Sequence, residues 1–411
     1  MTTRRTARRV VLLGVSASLA LGSTAGCAGQ PPAQTGPGPS AARAAPPATD
    51  LDAALDRLLG RREFAVRSGD AAAWEATVDG GSSAVLRRER QFFAGLLALP
   101  LEEWSSRVLD TRARADGGAR ATVEVAYRLA GDDRPGRVHV VLDLVRHGDE
   151  LVVAGSSSTP HPPWEVPDIA SAVGDHSTVI GDVGEEALAS YAEQADAAAT
   201  AVADVAPDGR SPHLSLVVLQ DWDEARRLVG AGAATDGLAA LATRLEAPGV
   251  EPGPVRVVAD PGVLARLEPA TRGAVLAHEA FHVVTKDLGP VPLWLSEGLA
   301  DYIGYRRSGV PLERSVSGFL AAVLADGPPD ALPVDADLAP GPAATVAYEG
   351  AHLAVRMLVD EHGEAAVLRL HGRVAERGPD SLERLLVEDL GTDIGKITRE
   401  WRAEAQRRAA S

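Results

Sequence analysis

One stretch limits what this chain can be more than any other. It is Leu276-Ala277-His278-Glu279-Ala280-Phe281-His282-Val283-Val284, which reads H-E-x-x-H. In a helix, residues four apart leave the same face. The imidazoles of His278 and His282 would then reach one tetrahedral zinc ion, with Glu279 beside the water such an ion holds. Two histidines do not complete a catalytic zinc site, so a third ligand is required downstream. The run Trp294-Leu295-Ser296-Glu297-Gly298-Leu299-Ala300-Asp301-Tyr302 supplies Glu297 for that place. Asp301 falls one turn later on the same face, where it can accept a hydrogen bond from a zinc-bound histidine. The expectation is one Zn2+ per chain. The first motif alone has a plain alternative, a buried helix whose two histidines are satisfied in the core. The second motif, at a spacing that fits a helix-loop-helix, weighs against it.

The pair HEAFH and WLSEGLADYI resembles the gluzincin branch of the zincin metallopeptidases, in particular the bacterial peptidase MA-like proteins. The resemblance implies two histidine ligands and a general base from the first motif. From the second it implies a glutamate ligand and an acidic residue four positions later that orients a ligand. Glu297 and Asp301 match that arrangement. Fourteen residues lie between His282 and Glu297, fewer than in thermolysin-like and aminopeptidase-like members.

The N-terminus reads as a targeting segment. Arg4, Arg5, Arg8 and Arg9 precede an apolar stretch from Val10 to Leu21, which is short for a membrane span. Ser23-Thr24-Ala25-Gly26-Cys27 follows and resembles a bacterial lipobox, with Thr24 where Leu is usual. Residues 1–26 are therefore expected to be a lipoprotein signal peptide, with lipid on Cys27. Cys27 is the only cysteine, so no internal disulfide can form. Secretion after ordinary cleavage nearby is the alternative. The formal charge is −16, and the signal carries arginines but no acid. The remainder is thus more acidic still, which argues against nucleic acid and against adsorption to anionic lipid. Attachment would come from acyl chains. Residues 27–50, rich in Ala, Pro, Gly and Gln, read as a disordered tether.

A length of 411 residues favours more than one domain, and 45% hydrophobic residues suffice for real cores. Residues 51–158 place helices first and strands after. Helices are expected over Leu51–Ser68, Ala71–Val78 and Gln91–Leu99, and strands over Ala119–Leu129, Arg137–Val145 and Glu150–Gly155. The order is α+β. It resembles the cone-shaped fold of nuclear-transport-factor and SnoaL-like proteins. His139 and His147 read as surface strand residues, and the domain as a spacer, partner-binding or small-ligand module. Residues 159–168, with several prolines, read as a stiff linker.

Residues 169–411 form the second domain. Strands are expected near Ser177–Gly181, His213–Gln220 and Val255–Ala259, with helices over Gly184–Val205, Asp221–Val229 and Ala270–Leu288. The rest is helical apart from a proline-rich loop, Pro328–Pro342, that could rim the cleft. Trp401 is expected to anchor the last helix. The order resembles a zincin, with a small α/β upper lobe and a helical lower lobe. That resemblance implies an edge strand that pairs with extended substrate, for which Val255–Ala259 is the candidate. It also implies a Tyr or His oxyanion donor, with Tyr348 the first candidate and His352 a weaker one. Tyr302 and Tyr305 read as packing residues.

The expected function is hydrolysis of peptide bonds at the outer face of the membrane, with Glu279 as general base. The alternative is an envelope lipoprotein that binds a partner and keeps zinc for structure alone. Glu279 argues against it, because a structural site needs no base.

Overall fold

A computed structural model of the chain describes residues 48–206, 209–229, 238–244, 249–339, 341 and 343–411. The expected signal peptide, Cys27 and nearly all of the expected tether lie outside the described residues. Helix α1, Ala48–Ser68, begins three residues before the expected start of the first domain. Among the described residues no helix is long and apolar enough to cross a membrane.

Helices α2 (Ala71–Glu75) and α3 (Ser83–Ala98) follow α1, each started by a side-chain cap. Asp70 accepts from the Ala73 amide and Ser82 from the Val85 amide, satisfying donors that a helix start leaves open. Four antiparallel strands then run as a meander: β1 (Leu101–Ala113), β2 (Ala119–Leu129), β3 (Gly136–His147) and β4 (Glu150–Thr159). Every second residue of β2 is buried, as its alternating sequence demands. β1 was not foreseen. It is an edge strand with no buried residue, so its sequence carries no apolar alternation. His139 and His147 lie on β3, and His147 is exposed, as expected of surface positions.

The stretch 159–168 is not a free linker. Its Pro163–Glu165 makes a short 3-10 turn, and Trp164 is buried. The Trp164 ring meets Trp104 and Tyr127 edge-on, each at 5.0 Å between centroids. The indole belongs to the first domain's core and outweighs what the prolines suggest.

The second domain holds β5 (Ala170–Val173), β6 (Ser177–Gly181), α4 (Glu185–Val202), β7 (Leu214–Val218), α5 (Trp222–Val229), β8 (Ala240–Arg244) and β9 (Val255–Ala259). Helices α6 (Pro261–Leu264), α7 (Pro269–Thr285), α8 (Leu293–Tyr305), α9 (Leu312–Ser315), α10 (Ser317–Asp326), α11 (Ala344–His362), α12 (Glu364–Arg377), α13 (Leu382–Leu390) and α14 (Ile394–Ala409) complete it. The sheet order is β5-β6-β7-β9-β8. β6, β7 and β9 are parallel, and the two outer strands are antiparallel to their neighbours. This corrects the expected edge strand. Val255–Ala259 is β9 and lies between β7 and β8, so among the described residues the edge on that side is β8, which the sequence did not point to.

Alternate residues of this sheet serve two cores. Val179, Leu216, Val218 and Val257 pack with the helices. Ile180, Val217, Leu219 and Val258 pack with the first domain, which therefore covers the opposite face. Polar contacts fix the junction. Buried Arg256 of β9 donates to the Tyr127 hydroxyl at 3.0 Å and to Asp132 Oδ2 at 3.1 Å. Ser215 of β7 donates to Asp132 Oδ1 at 2.6 Å. Burial opposes the guanidinium charge, but Tyr127 and Asp132 hold its pKa above the ordinary value. Removing one member of such a pair costs about 3–5 kcal/mol, so the domains are fixed to each other. Among the C-terminal helices Trp401 is wholly buried, stacks on Phe319 and donates from Nε1 to Gly350 O at 2.9 Å.

Candidate active site

Helix α7 starts with Pro269 in its first turn, a position that needs no amide donor. Nine consecutive residues, Ala274 to His282, are buried, so the helix is enclosed on all sides. It packs against α4, α8, β8 and β9. Helix α8 lies close to it because two positions carry no side chain. A Cβ on Gly304 would sit 2.4 Å from Ala274 O of α7, and one on Gly298 2.5 Å from Ala351 O of α11. The first approach brings Glu297 and Asp301 to α7, and the second brings α11, which carries Tyr348, against α8.

His278, His282 and Glu297 meet at one point, all buried. The Nε2 atoms of the two histidines are 3.0 Å apart. Glu297 Oε2 lies 3.2 Å from His282 Nε2 and 3.3 Å from His278 Nε2. Ligands about 2.0–2.1 Å from a tetrahedral centre are separated by roughly 3.3 Å, so these atoms fit a zinc ion. Two imidazoles and one carboxylate are also a donor set that zinc takes.

His278 Nδ1 lies 2.8 Å from Asp301 Oδ1. A carboxylate only accepts, so Nδ1 carries a hydrogen, and in the neutral ring the Nε2 lone pair faces the cluster. Burial disfavours the charged imidazole, but Asp301 and Glu297 raise the His278 pKa well above its ordinary value. Burial likewise disfavours a charged Glu297, yet the two imidazoles hold it down to about 2. A carboxylate is thus kept ionised in a place that excludes water.

Glu279 is 1% exposed and lies off the three-atom cluster. Its Oε2 accepts from the backbone amide of Ala242, on β8, at 2.7 Å. Sequence reasoning missed this partner, since a backbone amide leaves no trace in residue type. Tyr348 is buried, and its phenol is pushed up by burial and then by Glu297, Asp301 and Glu279. It therefore stands within electrostatic reach of all three carboxylates.

The other aromatic and histidine candidates separate. Tyr302 donates to Glu364 Oε2 at 2.9 Å, and its pKa is pushed up to about 12 by burial and that carboxylate. Tyr305 stacks on His352 with 5.4 Å between centroids. His352 is buried with Nδ1 unbonded, and burial lowers its pKa to about 4, so it is neutral. Unforeseen is His371 of α12, buried against Phe281 at 5.6 Å and lowered to about 4 by burial and then by His282. Only its being a histidine on the apolar face of an amphipathic helix could have marked it. The proline-rich loop ties down the start of α8, with Asp335 Oδ1 accepting from the Leu293 amide at 2.9 Å. Residues 340 and 342 of that loop lie outside the described residues.

No protein-family profile matches the chain, and no curated protein matches it. The solved structures similar to it include two zinc metallopeptidases. One is a two-domain M1 zinc metallopeptidase bound to L-arginine, at 14% identity and a TM-score of 0.32, covering 63% of this chain and 58% of that one. The other is a two-domain M1 zinc metallopeptidase bound to L-tryptophan, at 14% identity and a TM-score of 0.34, covering 73% and 60%. The matched region thus spans about three fifths of those enzymes.

Proposed function

We infer that the chain is a zinc-dependent peptidase. The observation that carries this reading is the convergence of His278 Nε2, His282 Nε2 and Glu297 Oε2 at tetrahedral ligand spacing, beside a separate carboxylate, Glu279. Those three would hold Zn2+, one per chain. When bound, zinc supplies Lewis-acid chemistry, acidifying water and polarising a carbonyl. Glu279 then takes the proton of the attacking water on Oε1, the oxygen not held by Ala242, and passes it to the leaving nitrogen. Tyr348, kept protonated by its surroundings, donates to the oxygen of the carbonyl under attack. Asp301 keeps the hydrogen of His278 on Nδ1. The substrate is a peptide, laid along the β8 edge.

The test is metal content and turnover of the purified protein. About one zinc per chain and cleavage of a mixed peptide library are expected, with cleavage lost on chelation and restored by zinc. A zinc-loaded protein that cuts no library member sinks the reading in favour of a structural site. Asp301→Asn should weaken zinc affinity by roughly 10–100-fold, because His278 loses its anionic partner. Titration against a zinc-binding dye measures this, and unchanged affinity would remove Asp301 from the role.

The lipobox-like sequence before Cys27 supports export and anchoring at the outer face of the membrane. Cys27→Ser is expected to abolish acyl labelling and release the protein from membranes. A variant that stays membrane-bound would mean that the segment before Cys27 anchors it uncleaved.

A further inference from the structure

The edge strand β8 makes a backbone contact with Glu279. β8 pairs with β9 in the register Ala240↔Ala259, Leu241↔Val258, Ala242↔Val257. Ala239 O accepts from Asp260 N on the β9 side. Backbone groups alternate in an antiparallel ladder, so residues 241 and 243 also face β9, and 240, 242 and 244 face away. The Ala242 amide is thus an outward donor of an edge strand. It reaches Glu279 Oε2 at 2.7 Å, in a place where Ala242 is wholly buried and Glu279 nearly so.

Resting on the peptidase reading, we propose that the backbone N–H of Ala242 is a positioning group for the general base. The last torsion of a glutamate is broad and roughly two-fold, so a free carboxylate has no fixed facing. A charge-assisted bond to a rigid amide removes that freedom. It holds Oε2 against β8 and leaves Oε1 for the attacking water. Helix and strand are also tied beyond this contact. Buried Arg244, at the end of β8, pairs with Asp287 just past α7 and donates to Gly253 O at 3.0 Å. Arg134 of the first domain reaches the other Asp287 oxygen at 3.4 Å. The edge strand is therefore set against α7 at two points, one at the base and one at the helix end.

Because the Ala242 N–H faces away from β9, proline there deletes the donor without breaking the ladder. Ala242→Pro should lower kcat by about 10–100-fold, the scale of a misplaced reacting group, with KM and bound zinc little changed. The conservative Ala242→Gly, which keeps the N–H, should restore the rate. Asp287→Asn, at a largely exposed side chain, loosens the second tie and should lower kcat severalfold with zinc retained. A readout independent of turnover is amide hydrogen exchange at Ala242. It should be slow in the native chain and in Glu279→Gln, and fast in Glu279→Ala. Equal kcat for the proline and glycine variants overturns the proposal. So does equal exchange in the native chain and Glu279→Ala. Should Ala242→Pro fail to fold, an unchanged kcat in Asp287→Asn overturns it instead. A native chain that cleaves no peptide counts against the peptidase reading, while the exchange experiment still decides the contact.

Discussion

Glu279→Gln should keep its zinc and lose about 10²–10⁴-fold in peptide hydrolysis. Gln matches Glu in size and still offers an oxygen to the Ala242 amide, so the helix and strand stay as they are. What disappears is the ability to take a proton from water. Glu279 is not one of the three convergent donors, so zinc stoichiometry should be untouched. Bound metal and initial rate, measured on the same preparation, separate the two effects. Full activity in this variant would mean that some other group activates the water. Loss of zinc along with the rate would mean that Glu279 is a ligand and that the division of roles is wrong.

Glu297→Ala should lose both zinc and activity. The carboxylate is buried between two imidazoles and is the only anion of the three donors. Without it, a divalent ion would sit in a buried place on neutral ligands alone, short of the charge that offsets its dehydration. The native chain should melt higher as zinc is added, since a ligand at a thousand times its Kd stabilises by about 4 kcal/mol. The variant's melting temperature should not respond. His282→Ala should behave alike. A proton competes for the same place in the native chain, because the folded-state pKa of His278 is raised well above 6.5. That proton leaves as pH rises through the raised value, so zinc affinity should keep climbing above pH 6.5. Calorimetry in buffers of different ionisation enthalpy would count the proton released. A variant that keeps stoichiometric zinc overturns the assignment of Glu297.

The site was legible because its chemistry demands particular residue types at particular helical offsets. His278 with His282, and Glu297 with Asp301, share a face once α7 and α8 are helices, and the close packing of the two helices at Gly304 brings the pairs together. Tyr348 could be named only as one aromatic among several, since its place depends on how α11 crosses α8 at Gly298. The strand that faces Glu279 was not legible at all. β8 is five residues, ALATR, short, alanine-rich and without alternation. β9, more apolar and next to α7 in the chain, looked like the edge. The chain instead lays down β8 first and returns inside it, an order that local sequence does not encode. β1 was hidden by exposure on an outer edge. The 159–168 stretch was hidden by prolines, whose turn geometry gives no hint that Trp164 between them is core.

The sheet of the second domain has no face left for water. Helices cover one side, and the three-helix, four-stranded N-terminal part covers the other. Its inner strands accordingly carry aliphatic residues on both sides, with Arg256 committed to an acid that lies more than a hundred positions earlier. Packing of this kind ties the two parts together. A gene shortened to the zinc-motif half would encode Ile180, Val217, Leu219 and Val258 as surface and Arg256 as a charge without its counterion. Recombination that moves the zinc-motif half into another architecture must supply a substitute cover, or rewrite that face of the sheet residue by residue.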